Sequence, residues 1–126
     1  MLLAALDWSL TALHVGVVLA FVLLWIPRAT WRWHGRLVGL VAFSWLGIGA
    51  AKGAIGYCFL TDLQWRVKRA RGEAHLPGSF LKYVADFVTG TNVSPAVVDT
   101  VAATVFAGVC LAAIFRAWQA SRRATP

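Results

Sequence analysis

Residues 2–26 read LLAALDWSLTALHVGVVLAFVLLWI, and Pro27 and Arg28 end the run. An α-helix needs ~20 predominantly apolar residues to cross a hydrocarbon core of ~30 Å, and this stretch supplies them. A cleavable export signal would carry a basic region ahead of a shorter apolar core. Here Asp7 comes early and no Lys or Arg precedes Arg28, so the segment predicts a retained transmembrane helix. Two further apolar runs follow: residues 37–58, interrupted by Ser44 and Lys52, and residues 97–118, with Asp99 near the start and Arg116 near the end. Three spanning helices are expected, over about residues 2–26, 37–58 and 97–118.

The composition agrees. Of 126 residues, 60% are hydrophobic and 13% charged, with a mean hydropathy of +0.69. Soluble domains average about 45–50% apolar and about 25% charged. The same figures exclude a disordered or collagen-like chain, and the length excludes a two-domain enzyme. The expected fold class is all-α, an integral membrane helical bundle forming one membrane domain over residues 1–126. Twelve Lys+Arg against five Asp+Glu give a net charge of +7. The cations flank apolar runs, where they meet lipid headgroups, so the bilayer and not nucleic acid is the expected partner. Six of the seven tryptophans, Trp8, Trp25, Trp31, Trp33, Trp65 and Trp118, lie near expected span ends, as in an interfacial aromatic belt.

The connection between the second and third spans is too polar to cross. Thr61-Asp62-Leu63-Gln64 has the spacing of a capping box and predicts a helix start. Leu63, Val67 and Ala70 share a face opposite Arg66, Lys68, Arg69 and Arg71, the pattern of a basic amphipathic helix lying in the interface. Gly72 stops that helix and His75-Leu76-Pro77-Gly78 turns the chain. Phe80, Leu81, Val84, Phe87 and Val88 then recur at helical spacing, with Lys82 and Asp86 as an i,i+4 pair. Gly90-Thr91-Asn92 ends this piece, and Ser94-Pro95 begins the last span. An interfacial helical hairpin over residues 61–90 is therefore expected. Six cations, Arg28, Arg32, Arg36, Arg116, Arg122 and Arg123, crowd the spans on one side; Arg66, Lys68, Arg69, Arg71 and Lys82 lie on the other. The positive-inside rule weighs short flanking segments most. It puts the arginine-rich side in the cytoplasm and the N-terminus outside.

Polar groups inside spans are costly and need a reason. Asp7, Thr11 and His14 fall on one helical face. Lys52 lies ~9 Å below the Cys58 end of the second span at 1.5 Å per residue, and Asp99 enters from the same side. Asp7, His14, Lys52, Cys58 and Asp99 are the candidate ligand-binding residues; the alternative is that Lys52 and an aspartate neutralise each other, or that Lys52 snorkels. His14 can ligate haem, although His34 and His75, the other histidines, fall in connections; hydrogen bonding to a neighbouring helix is the simpler use. Cys58 sits at a span end and Cys110 near the middle of the third span, so no disulfide is expected between them. Cys58 is the candidate reactive thiol, with Lys52 and Arg66 as nearby cations. Gly49 and Gly53 form a G-x-x-x-G, read as a helix-packing face.

From Cys58 onward the chain reads C-F-L-T-D-L-Q-W-R-V-K-R-A-R-G-E and then P-G-S-F-L-K-Y. This resembles the domain of unknown function 2784 family, small bacterial membrane proteins with a C-P-L-T-x-L-E…R…G-E…G-G-F-I-x-Y stretch. Cys58, Leu60, Thr61, Leu63, Arg69, Gly72, Glu73, Gly78, Phe80 and Tyr83 fall on matching positions, and His14 matches a first-span histidine. Phe59 replaces the usual proline and Gln64 the usual glutamate. The resemblance implies the architecture and a place in the bacterial cytoplasmic (inner) membrane, and no activity.

No catalytic triad, zinc site, P-loop or dinucleotide fingerprint is present in the sequence. The first expectation is therefore a non-catalytic accessory or assembly subunit, with a membrane-protein partner or a homo-oligomer. The second is a lipid- or quinone-binding or transport module with a polar pocket near His14, Lys52 and Cys58. The third is a haem- or thiol-based membrane oxidoreductase component.

Overall fold

The computed structural model describes residues 1–124, which are helical with no strand among them. Helix α1 runs Leu2–Leu23. After a short 3-10 turn, Arg28–Thr30, come α2 (Trp31–Ala42), a π-helical segment (Phe43–Ile48) and α3 (Gly49–Ala51). Then follow α4 (Phe59–Ala70), α5 (Phe80–Thr89) and α6 (Pro95–Ala124).

Two helices are long and apolar enough to cross a membrane, α1 with 22 residues and α6 with 30. Most of their apolar side chains stay open, although Leu10 and Phe21 of α1 and Val98 of α6 are buried. In α6 only 6% of the most apolar stretch is buried, and Val101, Leu111, Ile114 and Phe115 all face outward.

The expected second span, residues 37–58, is not one long helix. The helical run ends at Ala51, passing through the π segment, and residues 52–58 are irregular. The cause lies in its glycines. Gly53 has φ +66°, its N–H donates to the Ala50 carbonyl (3.1 Å), and the Ala54 N–H donates to the Gly49 carbonyl (2.8 Å). That pair of bonds is a Schellman termination. The chain then folds back on its own helix: the Gly56 N–H donates to the Trp45 carbonyl (3.1 Å) and Ser44 Oγ to the Tyr57 carbonyl (3.0 Å). A Cβ on Gly49 would lie 2.7 Å from the Ala54 carbonyl oxygen. The close approach expected of this G-x-x-x-G is thus made at Gly49 by the chain's own returning backbone.

The rest of the connection follows its local signals, with two shifts. Helix α4 stops at a second Schellman termination: Gly72 has φ +88°, with bonds from Gly72 N to Arg69 O (2.9 Å) and Glu73 N to Lys68 O (3.1 Å). Helix α5 is capped by Ser79, whose Oγ accepts from the Lys82 N–H (3.2 Å), and α6 starts at Pro95. However, α4 starts at Phe59, two residues ahead of the expected Thr61 cap. Its buried residues are Gln64, Trp65, Val67 and Lys68, whereas Leu63 is exposed. The inward face is turned from the apolar stripe because, as described below, Gln64 and Lys68 have a carboxylate to meet.

The chain divides into two compact units, Met1–Val18 with Cys58–Ala102 and Leu19–Tyr57 with Ala103–Pro126. All five acidic residues, Asp7, Asp62, Glu73, Asp86 and Asp99, belong to the first, with five basic ones. The second carries the other seven cations, Arg28, Arg32, Arg36, Lys52, Arg116, Arg122 and Arg123, and no acidic residue. The net +7 therefore resides in one unit.

Candidate functional site

In the first unit, Asp7, Thr11 and His14 share one face of α1, and α4 lays its buried polar face against them. Asp7 is 5% exposed. Its carboxylate accepts from Lys68 Nζ (2.9 Å), from Arg71 Nη1, and from Gln64 Nε2 (3.3 Å). Gln64 Nε2 also donates to Thr11 Oγ1 (2.7 Å). Glu73, brought back by the Gly72 turn, completes the group, 3.4 Å from Lys68 Nζ and 3.3 Å from Arg71 Nη1. Two carboxylates thus meet two cations.

The ammonium of Lys68, with its side chain 4% exposed, is held above the ordinary lysine value of 10.5. Burial alone would lower it. The hydrogen bond to Asp7 and the negative charge available at Tyr83, Asp7 and Glu73 together outweigh that. Lys68 also lies 4.9 Å from the centre of the Tyr83 ring, a cation–π contact.

Two helical turns along α1, the buried His14 ring stacks face to face on Phe80, with centroids 3.8 Å apart. Its Nε2 meets Cys58 Sγ at 3.6 Å. The thiol and imidazole therefore share a hydrogen bond, and one ring face is sealed. Two buried atoms here lack a hydrogen-bond partner, His14 Nδ1 and Gln64 Oε1. Trp65 pins the 75–78 turn, its indole donating to the Pro77 carbonyl (2.8 Å).

The sequence-derived candidates divide. Asp7, His14 and Cys58 come together with the motif residues Phe80 and Glu73, whereas Gly72 shapes the turn that delivers Glu73. Asp99 is exposed, and among the described residues no ion pair or hydrogen bond reaches it. Lys52 is exposed in the second unit, 4.8 Å from the Tyr57 ring centre. The ammonium that answers Asp7 is Lys68. Leu63 and Arg69 are exposed, and Leu60 and Thr61 are half-buried. Gln64 does not close a capping box; its amide is the hub between Asp7 and Thr11. Both cysteines are free thiols. Among the described residues no group of three or more His, Cys, Asp or Glu is placed to hold a metal ion.

Sequence reading missed Lys68, Arg71 and Gln64 as partners of Asp7. The available signal was the spacing of Gln64, Lys68 and Arg71, which fall on one face of a helix in a chain with a lone early aspartate. His34, expected in a connection, is instead buried in α2 at 1% exposure, its Nε2 donating to the Phe21 carbonyl (3.0 Å).

The profile of a family described as "Protein of Unknown function (DUF2784)" matches residues 4–118. The chain belongs to that family. No curated protein and no solved structure gives a significant match.

Proposed function

We propose that this member of the family is a small integral membrane protein acting as a non-catalytic accessory or assembly subunit of a larger complex in the bacterial cytoplasmic membrane. The observation that carries the reading is the contrast between its polar and apolar groups. The four charges of Asp7, Glu73, Lys68 and Arg71 are spent on one another. The apolar flank of α6, by contrast, is open along its length. A buried, mutually neutralised cluster fixes how two helices meet; an open apolar helix is covered by lipid or by another membrane polypeptide.

Length supports a third crossing. The run from Trp31 to Ala51 is continuous apart from its π segment. At 1.5 Å per residue it is ~30 Å long, about one hydrocarbon core. Irregular backbone at the end of such a helix is tolerated where its polar groups are satisfied internally, as at Gly49–Ala54 and Trp45–Gly56. The positive-inside rule, applied to Arg28, Arg32, Arg36, Arg116, Arg122 and Arg123, favours their side as cytoplasmic and the N-terminus as outside.

A photo-crosslinking residue at Leu111 or Ile114, exposed at 67% and 65%, tests the reading in native membranes. A discrete adduct with a second polypeptide is expected. Adducts with lipid alone from both positions contradict it.

A second reading, a lipid- or quinone-binding module, rests on the buried His14 Nδ1 and Gln64 Oε1, which lack hydrogen-bond partners and which a lipid or quinol hydroxyl, able to accept and to donate, would suit. It requires a bound ligand to co-purify with the protein and to be lost in His14→Phe.

A further inference from the structure

The second unit holds seven cations and no anion, and it contains two clefts. One, of about 290 Å³, is lined by Val22, Trp25, Val105, Gly108, Val109 and Ala112, with His34 at its wall. The other, of about 340 Å³, also touches His34 and is lined by Arg32, Gly35, Trp31, Arg116 and the alanines of α6. Sharing His34, they form an apolar cleft adjoining a cationic one.

Arg116 is built into the cationic cleft. Its guanidinium carbon lies 4.5 Å from the Trp31 ring centre and 5.3 Å from that of Trp25. The two indoles are braced: Trp31 Nε1 donates to the Trp25 carbonyl (2.8 Å), and Thr30 Oγ1 donates to the carbonyls of Leu24 (2.6 Å) and Pro27 (2.8 Å). Yet Nη1 of Arg116 is buried with no hydrogen-bond partner. An unmet guanidinium N–H is costly, and no acidic side chain of this unit exists to meet it.

We infer that the two clefts together bind one anionic glycerophospholipid, its phosphate on Arg116 and Arg32 and an acyl chain in the apolar cleft. Phosphate suits the planar guanidinium fork. The apolar lining suits a hydrocarbon chain and not a free phosphate ester. Tryptophan at the junction suits the headgroup boundary. The inference rests on membrane residence and is independent of whether a protein partner exists.

The test uses the full chain, purified and delipidated in detergent and titrated under native mass spectrometry with phosphatidylglycerol or phosphatidylcholine of matched acyl chains. One phosphatidylglycerol should be retained about tenfold more tightly than phosphatidylcholine, the gain expected of a charge-assisted contact. Arg116→Gln should erase that preference. Because Arg116 also packs between two indoles, Arg32→Gln, at an exposed position, repeats the charge test without touching the packing. Gly108→Leu should weaken retention of both lipids, and it can be accommodated because a Cβ there meets nothing within 4 Å. Equal retention of the two lipids, or phosphatidylglycerol retention unchanged in both Arg32→Gln and Gly108→Leu, overturns the proposal. Displacement of bound lipid by millimolar inorganic phosphate overturns the acyl half of it.

Discussion

Replacing Asp7 by Asn removes the charge at the centre of the first unit while nearly preserving its shape. Lys68 Nζ then keeps Glu73 at 3.4 Å as its remaining ion-pair partner, and Glu73 is 38% exposed. Breaking a buried pair by removing one partner costs about 3–5 kcal/mol, because the other charge is left unanswered. Arg71, at 32% side-chain exposure, can turn to solvent, which puts the expectation at the lower end, about 3 kcal/mol. The assay is reversible unfolding in mixed micelles of increasing denaturing-detergent fraction, followed by helical ellipticity. The paired Asp7→Asn/Lys68→Met variant should recover most of the loss, since an apolar replacement of a buried pair is often neutral. A cost below about 1 kcal/mol, as for a solvent-exposed ion pair, would refute the reasoning. So would a double variant whose cost is the sum of the two single ones.

Three further outcomes follow from the geometry. Gly49→Ala should destabilise by about 1–3 kcal/mol, since its Cβ would meet the Ala54 carbonyl at 2.7 Å; Gly39→Ala, with open space around its Cβ, should be neutral or gain up to about 1 kcal/mol in the same unfolding assay. The Lys82 ammonium, bonded to Asp86 (2.6 and 2.5 Å) and Asn92 (2.6 Å), holds the Asp86 carboxyl below its usual 3.8, with help from the Val93 N–H. A lowered carboxyl pKa stabilises above the ordinary value and is lost as pH falls through the folded one, so protection of the Val93 amide from hydrogen exchange should persist at pH 5 and vanish only below about pH 3.8. Lys68 has the opposite sign: its raised pKa contributes fully below 10.5 and is lost only as pH rises past that value, so alkaline unfolding should begin above pH 10.5 and move lower in Asp7→Asn.

What the sequence made legible was mostly local. Gly72 and Gly90 stop α4 and α5 because only glycine takes a positive φ without strain, and Pro95 opens α6 because its missing N–H is not needed there. The α1 face of Asp7, Thr11 and His14 was readable because helical periodicity fixes it. The end of the second span was not legible because hydropathy registers composition and not termination: residues 52–58 are apolar enough, but Gly53 turns the chain and Gly49 lets it lie back on its helix. The inward face of α4 was misread for a related reason. Lys68 and Gln64 look like solvated positions until a buried carboxylate elsewhere makes burial worthwhile, and that partner is about sixty residues distant along the chain. Lys52 was the nearer candidate by depth, yet depth along a helix says nothing about which face meets Asp7.

The proposed membrane subunit spends its polar core on its own fold and leaves its apolar flank for a partner. Extraction of the full chain from its own membranes in mild detergent, followed by native mass spectrometry of the intact particle, tests it most directly. A stable, stoichiometric assembly with at least one other polypeptide is expected, weakened by a polar substitution such as Leu111→Gln on α6. A lone chain at every detergent strength, whether bare or carrying one small molecule, would contradict it.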